Sequence, residues 1–142
     1  MDAEEALFRL TLEPSPDGVA RARPFGTGAE TVFESGTGRA EGRALTGSLR
    51  YSRRIERRAS GIATVVFHAL VTAADGALVA LEGEGREDAA GDGLAVIGWN
   101  AQADGYRGLN AAVLWAEVRP GVLAVFGHRA EGGEPGGGVT GS

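Results

Sequence analysis

Two side chains in this sequence, His68 and His128, have an ordinary pKa close to neutrality and can take and return a proton at physiological pH. His68 sits in an apolar run, Ile62–Thr72, which an Asp75-Gly76 step separates from a second run, Leu78–Glu84. Asp-Gly between two such runs signals a hairpin, because a two-residue type I′ turn needs positive φ at both central positions. With that loop Ala74 pairs with Ala77, and His68 falls opposite Gly83. One face then carries Ile62, Thr64, Val66, His68, Leu70, Thr72, Val79 and Leu81, and the other Val65, Phe67, Val71, Ala80, Glu82 and Glu84. The glutamates require water, so His68 is expected to face inward as the catalytic acid or base, its pKa lowered by burial. The plainer reading is a core histidine hydrogen-bonded to a neighbour.

Aromatic residues are few, so their positions matter. Tyr51, Trp99, Trp115 and Phe126 are expected to line a substrate-binding interior and stack on an unsaturated or cyclic ligand, although core packing explains them equally well. Tyr106 and Asn110 are expected to close one end beside the substrate, with Asn110 fixing turn backbone, and His128 to lie at a rim. The run Arg53-Arg54-Ile55-Glu56-Arg57-Arg58 is the only basic cluster. It reads as a solvated loop or salt-bridged rim, with an anion-binding mouth as the functional alternative.

Other chemistries lack their residues. No cysteine is present, which excludes disulfides and thiolate chemistry, and two histidines cannot build a three-histidine metal site. No metal and no cofactor is expected. The glycine-rich stretches GTGAE and SGTGRAEG lack the strand-to-helix context of a phosphate loop and read as turns. There is no nucleophile elbow with an accompanying triad. A net charge of −5 argues against nucleic acid or an anionic membrane as partner, and all 14 basic residues are arginine, as high-GC coding bias produces. No apolar run is long enough to span a membrane and the start has no signal-peptide pattern, so a soluble cytoplasmic protein is expected.

The elements that must position these residues are strands. Leu7–Leu12 alternates, and Pro14–Gly18 is expected to end that strand in a turn, followed by short strands at Val19–Arg23 and Thr31–Glu34. Ala44–Ser52 places Leu45, Gly47, Leu49 and Tyr51 on one face. Leu94–Ala101 is a strand with Trp99 and Asn100 on opposite faces, and Ala103–Asn110 is an irregular or single helical turn. Ala111–Val118 and Val122–His128 form a hairpin about Pro120-Gly121, in which Arg119 pairs with Val122, and Trp115, Phe126, Val113 and His128 share a face. No segment keeps a helical period. About eight to ten strands joined by short turns predict an all-β fold, a single antiparallel closed β-barrel of lipocalin-like type over residues 1–130, with 131–142 a flexible glycine-rich tail. The outer set Val65, Phe67 and Val71 then needs cover, and a homodimer is expected to supply it.

Several stretches, LFRLTL, GRALTGSLRY, TAADGALV followed by EGEGR, and Tyr106-Arg107-Gly108-Leu109-Asn110, resemble a family of small bacterial β-barrel proteins catalogued as domain of unknown function 3237. The likeness covers most of residues 6–130. The sequence departs from that family where Ala73-Ala74 precede Asp75-Gly76, where Gly108 replaces a tryptophan, and where Val66 and His68 stand at positions that often hold an Asp-x-Arg pair. The resemblance implies a barrel and no particular chemistry.

The function expected from these residues is binding of a small apolar or cyclic metabolite, with cofactor-independent cyclisation, isomerisation or dehydration inside the barrel, in the specialised metabolism of a bacterium. The alternatives are a non-catalytic carrier or sensor of a hydrophobic ligand and a structural dimer with a filled barrel.

Overall fold

In the computed structural model, which describes residues 6–24 and 26–128, eight antiparallel strands close into one barrel in strict sequence order. The strands are β1 (Phe8–Ala22), β2 (Glu30–Glu41), β3 (Gly47–Arg57), β4 (Ala63–Ala73), β5 (Leu78–Glu87), β6 (Gly93–Ala101), β7 (Val113–Arg119) and β8 (Val122–His128). A short 3-10 turn at Arg107–Leu109 is the helical element among them. Closure rests on β1 pairing with β8, Phe8 opposite Val125 through Thr11 opposite Val122. We call the end with the β3–β4, β5–β6 and β7–β8 turns the upper end and the opposite one the lower end. The expected tail at 131–142 lies outside the described residues.

Alternation fixes the interior. Phe8, Leu10 and Leu12 of β1, Leu49 and Tyr51 of β3, Phe67, Ala69 and Val71 of β4, Val79 and Leu81 of β5 and Trp99 of β6 form one buried cluster. Their partners on the outer wall are mostly polar, as an antiparallel sheet with one wet face requires. A separate small apolar group, Val32, Ile55 and Ala63 with Val65 against it, lies toward the upper end.

The sequence expectation fails at the central turn. The β4–β5 loop has three residues, Ala74-Asp75-Gly76: the Ala73 amide donates to Ala77 O at 2.8 Å and the Gly76 amide to Ala73 O at 2.8 Å. Gly76 takes φ 91°, and Asp75 Oδ1 accepts from the Ala77 amide at 3.1 Å. This is the type I turn with a left-handed third residue that also suits Asp-Gly. The same device recurs at Gly61 and Gly91, with φ 97° and 88°. The extra residue shifts the pairing by one, so His68 faces Glu82 and Phe67 faces Gly83. A one-residue slip exchanges the faces of a strand. Val65, Phe67 and Val71 therefore point inward and His68 outward, while Val79, Leu81, Glu82 and Glu84 keep the expected faces. The outer apolar set on β4 that suggested a dimer is therefore not Val65, Phe67 and Val71 but Ile62, Val66 and Leu70, with Ile62 and Leu70 exposed.

Two further segments differ. Pro14–Gly18 does not end the first strand but forms a bulge within β1, where pairing with β2 shifts between Pro14 and Val19. The glycine-rich stretch at 35–38 is strand, not turn. A Cβ on Gly36 would lie 2.1 Å from the Glu13 carbonyl oxygen, so glycine is what lets β1 and β2 approach there. The β7–β8 hairpin matches the expected register, with a two-residue Pro120-Gly121 turn and Gly121 at φ 74°.

Candidate functional site

The Arg53–Arg58 run is not a loop. β3 continues through it to Arg57, and its alternation sends Tyr51, Arg53, Ile55 and Arg57 to the inner row and Ser52, Arg54 and Glu56 to the outer one. A guanidinium inside a barrel must be paired. Arg53 Nη2 donates to Glu34 Oε1 at 3.1 Å and to Oε2 at 3.0 Å, from directly across the β2–β3 register. Its side chain is 12% exposed and that of Glu34 10%. Glu34 Oε2 also accepts the Tyr51 hydroxyl at 2.5 Å.

Burial, and next the Glu34 carboxylate that accepts its proton, push the Tyr51 hydroxyl well above the ordinary tyrosine range, while the Arg53 charge pulls weakly the other way. Tyr51 therefore stays neutral, and the three side chains together carry no net charge. A half-buried Arg57 pairs with the buried Glu87 nearby: Nη2 donates to Glu87 Oε1 at 2.9 Å, and Nη1 to the Gly61 and Asp88 carbonyls at 2.6 and 3.0 Å. It ties the β3–β4 turn to the β5–β6 turn at the upper end.

One donor is left over. Among the described residues, Arg53 Nε is the buried side-chain nitrogen or oxygen with no hydrogen-bond partner. Arg53 lines a narrow interior cavity of about 20 Å³, walled by Val65, Phe67, Gly83, Ile97 and Leu123. That is room for about one water. The chemical capacity of the arrangement is a fixed, buried cationic N–H donor beside an oxygen-sized niche with apolar walls.

The structure does not bring the sequence candidates together. Tyr51 belongs to the polar network, with its ring 6.2 Å from Phe67. Trp99 is interior but packs near the lower end against Phe8 at 5.8 Å, and its Nε1 donates to Tyr106 O at 2.8 Å. Asn110 fixes that end by accepting from the Ala101 amide and donating to its carbonyl, both at 2.9 Å. Burial, then the charge and hydrogen bond of Asp75, push the Tyr106 hydroxyl up. Trp115 and Phe126 stack 6.0 Å apart on the outer wall, because Leu114, Ala116, Leu123 and Val125 take the inner row. His128 ends β8 opposite Val113, and its side chain lies outside the described residues. His68 is exposed on the outer wall, in shallow grooves of 410 and 210 Å³, and is not part of the interior.

Arg53 and Glu34 were not singled out as site residues from the sequence. The available signal was the two-residue period running unbroken from Leu45 through Arg57. Nothing local marks Glu34 as the partner, since it stands 19 residues away.

Among the described residues, no group of three His, Asp or Glu side chains could hold a metal ion, and no helix is long and apolar enough to cross a membrane. No family model and no curated protein matches the sequence, so the family suggested by those short motifs is not established. Solved structures do match. An enzyme from Penicillium herquei superposes with a TM-score of 0.72 at 17% identity, over 87% of this chain and 91% of that one. A protein of unknown function from Clostridium acetobutylicum ATCC 824 gives 0.72 at 14%, over 87% and 93%. A β-barrel-like protein from Acinetobacter baumannii AYE gives 0.72 at 15%, over 87% and 92%. At these identities the likeness establishes a shared closed barrel, and a barrel of this type is suited to binding a small molecule.

Proposed function

We propose that the protein binds an apolar small molecule at the upper end of the barrel and promotes a cofactor-independent isomerisation or cyclisation there. The observation that carries this is the buried Arg53 guanidinium, held by Glu34 on one side and with an unused Nε–H beside the cavity. A preorganised donor beside a mainly apolar niche stabilises negative charge as it develops on a substrate oxygen, and it needs no reorganisation at that moment. Glu34 and Tyr51 are positioning residues that fix the guanidinium. The apolar walls hold a flexible chain in a reactive shape. That a neighbour of the same fold is described as an enzyme is compatible with chemistry in such a barrel.

The test is incubation with a library of apolar unsaturated compounds, read by chromatography and mass spectrometry for products of unchanged mass. Wild type is expected to form an isomer that the Arg53→Lys variant forms at least ten-fold more slowly. Equal rates in the two would overturn the assignment of Arg53. A second reading, a carrier without chemistry, draws support from the tight packing of the niche, and it predicts co-purified ligand with no new product.

Self-association remains part of the proposal, relocated to the outer wall of β6 and β7. Leu94, Val96 and Val113 are 62%, 67% and 62% exposed there, around the Trp115–Phe126 stack. Sedimentation velocity tests it, and a monomer at all concentrations would remove it.

A further inference from the structure

We infer that the niche beside Arg53 takes a neutral carbonyl oxygen, that of a ketone, aldehyde or ester on an otherwise apolar ligand, and discriminates against carboxylates. This rests on the reading of Arg53 given above and names the substrate class for that site.

Three observations converge. The first is the orphan donor. A guanidinium N–H only donates and is not deprotonated in proteins, so what satisfies Arg53 Nε must be an acceptor. Buried donors without partners are rare in folded proteins, and the residue that carries this one lines the cavity.

The second is charge. Arg53 is already matched by Glu34, and Arg57 by Glu87, which lines the same cavity. Tyr51 stays protonated. Arg86 also lines the cavity but is exposed, so its charge is met by solvent, and a ligand carboxylate would add an uncompensated negative charge to buried side chains that sum to zero. The desolvation of such a charge exceeds what one charge-assisted hydrogen bond returns. A carbonyl oxygen accepts the same N–H without that cost.

The third is size and lining. The niche of about 20 Å³ admits one oxygen, not a branched polar head. A lone water fits by volume but needs two to four polar partners. Besides Arg53, the polar side chains of the lining are Arg86, which is exposed, and Glu87, whose Oε1 is taken by Arg57, and the remaining side chains are apolar. A carbonyl needs one donor and carries its own apolar body. Val65 lines the niche and also packs on Val32, Ile55 and Ala63, the small cluster separate from the main core. The niche thus lies where that small cluster meets Phe67, Ile97 and Leu123 of the main core, and a ligand's apolar body would have to displace side chains there.

The experiment uses three probes of nearly one shape: benzylacetone, a ketone; hydrocinnamate, its carboxylate analogue; and butylbenzene, which has no acceptor. Calorimetric titration of the full chain is expected to give benzylacetone at least ten-fold tighter binding than either of the others. The infrared carbonyl band of the bound ketone is expected to move to lower frequency. Arg53→Met alone leaves Glu34 unpaired and risks misfolding, so the paired variant Arg53→Met with Glu34→Gln is measured beside it; it should lose the band shift and at least ten-fold in affinity. Tighter binding of hydrocinnamate, equal binding of butylbenzene, binding of none of the three, or a band shift kept in the paired variant would each overturn the inference. Ketone binding with the shift but no isomer from any library compound would leave the inference standing and remove the catalytic reading.

Discussion

Tyr51 reaches diagonally across the β2–β3 register to donate its hydroxyl to Glu34, at 2.5 Å, over the place where its directly opposed residue is Gly36. The carboxylate thereby receives one donor from a neutral phenol and two contacts from a guanidinium, all inside the barrel wall.

Burial of the phenol, together with that contact, sets an alkaline limit on stability. The folded-state pKa of Tyr51 is raised, so the folded protein holds its proton more tightly than the unfolded chain does. The associated stability is fully present below the unfolded value of about 10 and is lost as pH rises through the folded one. Denaturant titrations across that range should show wild type falling off, and Tyr51→Phe with a flatter alkaline limb. At neutral pH the same variant is expected to lose about 1–3 kcal/mol, because Glu34 forfeits a donor. A parallel alkaline decline in both proteins would contradict this.

The Arg53–Glu34 pair predicts strong non-additivity. Removing one partner of a buried pair strands the other, at about 3–5 kcal/mol. Arg53→Met and Glu34→Gln should each fall in that range, and the paired variant should be more stable than Arg53→Met alone. Chemical denaturation of the four proteins measures the coupling. Simple addition of the two single effects would show the pair to be solvated.

Two glycines of β5 should respond oppositely to alanine. A Cβ on Gly83 meets the flexible end of Ile97 at 3.0 Å and Phe67 at 3.4 Å, inside the cavity. Gly83→Ala is expected to change stability by no more than about 1 kcal/mol while abolishing benzylacetone binding. A Cβ on Gly85 would lie 2.1 Å from the Leu94 carbonyl oxygen, where only backbone can give way. Gly85→Ala should cost roughly 3 kcal/mol or more. Thermal melts and titrations of both variants make the comparison.

His68→Ala tests the overturned register. An exposed residue opposite Glu82 contributes little, so stability should stay within about 0.5 kcal/mol of wild type and ligand binding should not change. A loss of binding with the fold intact would return His68 to the site.

Why the sequence yielded the barrel but not the site can be traced to particular residues. Val79, Leu81, Glu82 and Glu84 fell on their correct faces because apolar and charged residues alternate along β5. Along β4 both faces carry apolar residues, so alternation could not arbitrate and the turn decided alone. Asp75-Gly76 is compatible with two-residue and three-residue loops, and the register of His68 hung on that single residue. The polar network was hidden for a different reason. Arg53 and Arg57 look like a solvated charge run, and the glutamates that neutralise them, Glu34 and Glu87, come from other strands 19 and 30 residues away. A hydrophobicity pattern finds which way an apolar side chain points, but it cannot tell that a charged one has a buried partner.

The seam between β1 and β8 has a consequence in time. Seven of the hairpin pairings join neighbours in sequence and can form as the chain leaves the ribosome. The eighth joins Phe8 to Val125 and must wait for nearly the whole barrel to be synthesised. Until then β1 presents an open edge able to pair with another nascent chain. That late, long-range closure should set the pace of folding.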